Sequence, residues 1–260
     1  MAVSCSGRTA ETLAVAAEAV RRGASLLAVG AQDSPLHAIA TQASALFVPV
    51  EANGPSRANL WGMAVPLVAA AGALGLVQTD PDLFEGVAKG LEDMANRCPS
   101  LERVVRQPRQ GAGDGAGRER AGVLGRHTAD GGRGAPAGAP TVRERQVPAQ
   151  WGALPEAGHN QLGVVEGPLA ERDIFAESAG RTIRLVVLRE PEERPISLLR
   201  VVEDRDVPVS ELAAEGAHPL ERLATLIELG DYASAYLALG YGIDPTPVTA
   251  ITELKSRTSQ

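Results

Sequence analysis

The sequence predicts an α/β protein built on parallel sheets, in two subdomains separated by a middle segment of different character. Three observations carry this expectation. Short, continuously apolar runs alternate with longer stretches of helical apolar spacing over residues 1–98. The same alternation resumes over residues 162–260. Runs that are apolar throughout, rather than at every second position, suit strands covered on both faces, which is the arrangement of parallel sheets. Residues 107–147 break the pattern, so the expected division is a first subdomain at 1–103, an irregular segment at 104–147 and a second subdomain at 148–260.

Taken in order, residues 9–22 carry apolar side chains at helical spacing, and residues 25–30 and 45–50 are short apolar runs between turn residues, hence strands. Residues 57–76 and 82–96 read as helices, the second with Pro81 in the position that suits a first turn. The apolar part of the former, residues 64–77, is too short to cross a bilayer and reads as a buried helix. In the second half, residues 182–188 read as a strand and 205–210 as a weaker one. Residues 219–239 and 247–256 read as helices, each opened by a proline and joined by the stiff Asp244-Pro245-Thr246-Pro247 connection.

A chain of 260 residues with 44% hydrophobic and 22% charged residues is long enough to bury a core. Its net charge of −7 argues against non-specific nucleic-acid binding, and no membrane span is expected. The N-terminus has neither the basic start nor the apolar region of a signal peptide. Cys5 and Cys98 have no metal-ligand spacing and read as free thiols of a reducing cytoplasm. Neither a metal nor an organic cofactor is implied.

The middle segment has no aromatic residue and no isoleucine, is dominated by Gly, Ala, Arg and Pro, and is basic within an acidic chain. One reading is a disordered basic linker. The other is a high-GC gene read one nucleotide out of frame. Val142 to Pro148 can be encoded GTG CGA GAA CGC CAA GTA CCC, and moving one nucleotide forward turns this into Cys-Glu-Asn-Ala-Lys-Tyr-Pro. The same shift from Gln107 onward can produce a buried strand, a turn and an amphipathic helix, where the actual residues show no such pattern.

Four places could carry chemistry. The run Ser4-Cys5-Ser6-Gly7-Arg8-Thr9-Ala10-Glu11-Thr12 opens a helix, and Ser4, Ser6 and Thr9 would add hydroxyls to the free N–H groups of a helix start, which suits a phosphate. Plain helix capping by Ser6 or Thr9 is the alternative. Arg57 in Gly54-Pro55-Ser56-Arg57 is either a solvated arginine or a cation facing negative charge. His159 in Gly158-His159-Asn160-Gln161 is either polar loop surface or a proton shuttle. Lys255, one of two lysines, is either a helix-end cation facing the dipole or a site residue. His37, His127 and His218 have no supporting context.

Together these motifs resemble the bifunctional phosphoglucose/phosphomannose isomerases, sugar-phosphate isomerases with the flavodoxin-like SIS fold. The resemblance covers residues 1–106 and 148–260 and carries the expectation that the first strand–helix unit of the family is missing. It implies a phosphosugar substrate held at the phosphate by Ser4, Ser6 and Thr9, with Arg57, His159 and Lys255 catalytic. Arg57 would steady charge on an enediolate-like transition state, His159 would shuttle the ring-opening proton, and Lys255 would bond sugar oxygens. It also implies a homodimer in which the His159 loop reaches the partner's site. Gln161 stands where the family has Glu. The implied reaction, glucose or mannose 6-phosphate to fructose 6-phosphate through an enediol, needs a base. The family's Glu-Asn-Ala-Lys glutamate falls on Arg143, with Glu144 beside it, and arginine stays protonated in proteins. Activity is therefore expected to be impaired. A non-catalytic phosphosugar-binding module is the alternative. An aminosugar isomerase or deaminase on the same fold is disfavoured by the Pro-Ser-Arg and Asp-Pro-Thr-Pro motifs.

Overall fold

The computed structural model describes residues 1–51, 54, 56–98, 120–126, 150–154, 156–166, 183–191, 197–246, 253, 254 and 257. The chain divides into two compact units, Met1–Pro81 and Asp82–Gln260.

The first unit runs β1 (Ala2–Ser4), α1 (Ala10–Arg21), β2 (Leu27–Gly30), α2 (Pro35–Gln42), β3 (Leu46–Pro49), a 3₁₀ turn (Ser56–Asn59) and α3 (Leu60–Ala73). Its three strands lie in the order β1-β2-β3, all parallel, with Ser4 opposite Gly30 and Gly30 opposite Pro49. Small side chains make this possible. Ala2, Ala16, Ala28 and Ala40 are buried together with Leu26 and Leu36, and Leu13, Val20 and Phe47 close the cluster. Leu36 is fully buried, which is worth about 1.5–3 kcal/mol. α1 ends where Gly23 turns left-handed at φ +72° and the Ala24 N–H reaches back to the Ala19 carbonyl, while Glu18 binds both Arg21 and Arg22 in the last turn.

The second unit opens on α4 (Pro81–Arg97), whose first residue ends the first unit, and continues with β4 (Arg120–Arg126), β5 (Gln150–Leu154), α5 (Glu156–Asn160), a 3₁₀ turn (Leu162–Val165), β6 (Ile183–Arg189), α6 (Ser197–Glu203), β7 (Val209–Ala213) and α7 (Pro219–Gly240). The strands are again all parallel, in the order β5-β4-β6-β7. Ile183, Leu185 and Val187 of β6 point alternately into a core completed by Val165, Leu199, Val202 and Val207. Gly86 and Gly90 of α4 face side chains of α7. A Cβ on Gly86 would lie 2.4 Å from the Glu221 carboxylate, and one on Gly90 would touch Thr225. Beside this contact Arg97 grips Glu215 with two hydrogen bonds of 2.9 and 2.8 Å.

The expected helices at 9–22, 82–96 and 219–239 and strands at 25–30, 45–50 and 182–188 are present within a few residues. Several expectations change. The helix expected at 57–76 starts as a 3₁₀ turn, because Asn59 takes a non-helical conformation (φ −103°, ψ 23°) before α3. α3 is not buried as expected: none of its residues is fully covered, although Leu60 to Ala73 contains no charge. Its packing partner within the first unit is β2, and Val65 as well as Leu74, Leu76 and Val77 beyond its end stay exposed. The weak strand expected at 205–210 lies later, at Val209–Ala213, because Asp206 turns left-handed at φ +59° and Pro208 carries no N–H for a ladder. Within the segment read as irregular, residues 120–126 form β4, paired on both sides; the remainder of 104–147 lies outside the described residues. The expected helix at 247–256 falls almost wholly outside them as well.

Candidate functional site

Parallel strands place all their carboxyl ends on one edge of the sheet, and the loops that leave that edge are where such folds bind ligands. In the first unit the register sets Ser4, Gly30 and Pro49 side by side on that edge. The loop leaving β1 contains Ser6, and Thr9 is the N-cap of α1. The turn leaving β2 caps α2 with Ser34, and the chain leaving β3 leads to Arg57 in the 3₁₀ turn. The topology thus places Ser4, Ser6 and Thr9 at one edge, and Arg57 follows β3 in the chain.

The β1–α1 loop is tightly built. The Gly7 N–H donates to the Ser4 carbonyl at 2.8 Å, and Gly7 sits at φ +61°. Ser4 is buried, and its hydroxyl shares a 2.8 Å hydrogen bond with that of Thr9. Thr9 makes no side-chain cap bond to α1. The alternative reading of Thr9 as a plain cap is therefore not what the structure shows: the hydroxyl is turned onto Ser4 across the mouth of the helix. Ser6 is exposed and accepts the Arg8 N–H at 3.3 Å. Such a helix start, lined with hydroxyls and carrying the positive end of the dipole, can hold an anion. Arg57 is half-buried in the 3₁₀ turn that follows β3 in the chain.

Residues not singled out from the sequence hold this loop in place. Ser34 is buried; a Cβ on Gly7 would lie 2.0 Å from its hydroxyl oxygen, so the two turns interlock and position 7 must be glycine. The Leu36 N–H donates to the Gly7 carbonyl at 3.1 Å. The Ser34-Pro35 pair, a cap followed by a first-turn proline, was the available signal for α2. Asn59, just after Arg57, has a buried amide nitrogen without a hydrogen-bond partner among the described residues.

In the second unit His159 lies on the helix α5 rather than in the expected loop. Glu156 in its first turn suits the dipole, and the Asn160 amide closes on the Glu156 carboxylate at 2.5 Å, one turn apart. His159 is exposed at the carboxyl side of β5. Gln161 ties this helix back: its amide donates to the Trp151 carbonyl at 2.9 Å and packs over Gly152. A glutamate here would set a carboxylate against that carbonyl, which gives the departure to Gln161 a local reason. Lys255, Arg143, Glu144 and His127 lie outside the described residues. His218 caps α7, its Nδ1 accepting the Leu220 N–H at 3.1 Å. Among the described residues no group of three His, Cys, Asp or Glu gathers around a metal-sized site, and no helix is long and apolar enough to cross a membrane.

The fold is shared with solved structures. A hypothetical protein from Thermus thermophilus superposes with a TM-score of 0.63 at 15% identity, covering 99% of this chain and 70% of that one. Tagatose-6-phosphate ketose/aldose isomerase from Escherichia coli superposes with a TM-score of 0.61 at 11% identity, covering 94% and 69%. This is the SIS-type α/β class. Residues 145–258 match the family described as bacterial phospho-glucose isomerase C-terminal SIS domain. Over its whole length the chain is 26% identical to a bifunctional phosphoglucose/phosphomannose isomerase of Caldicellulosiruptor bescii, covering 76% of that protein. It is 30% identical to the Aquifex aeolicus protein of the same name over 113 residues, 42% of this chain and 33% of that one. The chain is thus similar to bifunctional phosphoglucose/phosphomannose isomerases, and its residues 145–258 to the bacterial phospho-glucose isomerase C-terminal SIS domain.

Proposed function

We propose that the chain binds a hexose 6-phosphate at the carboxyl edge of the first unit's sheet, with Ser4, Ser6 and Thr9 around the phosphate and Arg57 facing the sugar oxygens. The observation that carries this is the 2.8 Å Ser4–Thr9 hydroxyl pair, which leaves the start of α1 without a Thr9 side-chain cap at a ligand-binding edge. The names of the relatives support phosphoglucose and phosphomannose as the compounds bound, and fructose 6-phosphate is proposed here as the ketose they exchange with. The reaction proposed is aldose–ketose isomerisation: a proton leaves one of the two reacting carbons and returns to the other through a cis-enediol. His159 and Lys255 serve ring opening and sugar binding, and the active form is a homodimer in the cytoplasm.

Turnover is weak in this reading. Arg143 stands at the position of the family's base, and loss of a positioned base costs on the order of 10²–10⁴ in rate. That same residue favours a second reading, a binding module without catalysis. Calorimetry with fructose 6-phosphate and with fructose tests the binding claim. The phosphate ester should bind more tightly, and a Ser4→Ala, Ser6→Ala, Thr9→Ala triple variant should lose the preference. Equal affinity of the unmodified chain for both sugars would sink it. Deuterium uptake at the sugar's C2 in heavy water separates the two readings: uptake means isomerase, none means binding alone.

A further inference from the structure

We propose that His37 is a positioning residue of the phosphosugar site: its ring holds the Asp33–Ser34 turn against Gly7 and so fixes the β1–α1 loop. The role in ligand binding rests on the reading of that loop given above. The mechanical part stands on the contacts themselves.

The contacts form one chain. The Asp33 N–H donates to His37 Nδ1 at 3.2 Å, and the His37 N–H donates to the Ser34 hydroxyl at 3.3 Å. Ser34 fills the space beside Gly7, and Leu36 donates to the Gly7 carbonyl. Gly7 in turn bonds Ser4, which bonds Thr9. A shift of the 33–36 turn is therefore a shift of the phosphate loop. The turn needs holding, because Asp33 stands at φ +56°, in the left-handed region that residues other than glycine seldom occupy. The His37 acceptor helps to hold it there. The ring itself is fixed from β3, where Phe47 lies against it with ring centroids 4.4 Å apart. Nδ1 accepts only while it carries no proton.

Two substitutions separate the hydrogen bond from the packing. His37→Asn keeps an acceptor oxygen where Nδ1 stands but loses most of the contact with Phe47. His37→Leu keeps an apolar contact and removes the acceptor. Two quantities are read on the full chain: hydrogen exchange at the Gly7 and Leu36 amides without ligand, and the affinity for fructose 6-phosphate. The expected result is exchange about fivefold faster and binding about fivefold weaker in His37→Leu, with His37→Asn within about twofold of the unmodified chain. The reverse ranking, or equal impairment of both, would overturn the proposal, since packing alone predicts it. If His37→Leu folds poorly, Asp33→Gly in the same chain removes the left-handed strain. That double variant should regain slow exchange, and its failure to do so also counts against the proposal. Should the unmodified chain prefer neither sugar, the phosphosugar reading falls, and the exchange ranking still decides whether His37 holds the loop.

Discussion

The central strands of the two sheets are specified by different means. In the three-stranded sheet of the first unit, β2 reads Leu-Ala-Val-Gly, and its Ala28 and Val29 are completely buried between β1 and β3. Its own side chains define its place. In the four-stranded sheet of the second unit, β4 reads Arg-Ala-Gly-Val-Leu-Gly-Arg and still pairs with β5 on one side and β6 on the other. Here the neighbours supply the pattern: β6 alternates buried Ile183, Leu185 and Val187 with half-buried residues. A backbone ladder needs N–H and C=O groups rather than particular side chains. A segment of poor composition can therefore occupy a slot that its neighbours define.

The strongest way to break this comparison is Val123→Pro. Val123 sits opposite Trp151 in β5 and Val186 in β6. Proline there removes a ladder donor from an interior strand and orphans an acceptor, so the second unit should lose at least about 2 kcal/mol in urea unfolding. An unchanged unfolding midpoint would show that β4 is not part of the sheet. Gly7→Ala tests the first unit in the same terms. The added methyl meets Ser34 and the left-handed φ disfavours alanine, with an expected loss of about 2 kcal/mol and loss of the preference for fructose 6-phosphate. Retained preference would mean that the interlock of the two turns does not shape the site. The smallest effect is expected at Arg97→Ala. Arg97 holds the Glu215 carboxyl below its ordinary pKa, chiefly through its side-chain hydrogen bonds. A depressed carboxylate pKa adds stability above the ordinary value, and that stability fades as pH falls through the depressed one. Unfolding followed from neutral to acidic pH should therefore be less pH-dependent in Arg97→Ala. The difference should be small, because both partners are half exposed.

Much of the fold was legible where periodicity and length agree, as in the long helices α1, α4 and α7 and the apolar strands β2, β3 and β6. What escaped is short or borrowed. β1 has three residues, too few for a period, and α2 has eight, so its Ser34-Pro35 start was its main signal. α5 has five, and within it the Asn160 amide closes on the Glu156 carboxylate one turn away. β4 takes its place from its neighbours, which no local reading shows. At the proposed site, the hydroxyl cluster of Ser4, Ser6 and Thr9 can be read from the sequence because it lies within one short stretch, while its role as a phosphate site is what the triple variant tests. The support from Ser34, Leu36 and His37 cannot be read there, since it arrives across the sheet edge from another strand's loop.

α3 has a further consequence, for how the protein behaves in concentrated solution. From Ala58 to Thr79 there is no charged residue, and Leu74, Leu76 and Val77 keep roughly half or more of their surface exposed. At low ionic strength the net charge of −7 keeps copies apart, over a Debye length of about 30 Å at about 0.01 M salt. Near 1 M salt that length shrinks to about 3 Å, and excluded salts such as sulfate strengthen apolar contact at the same time. Salting-out should therefore begin at this helix, and purification is best carried out in dilute buffer.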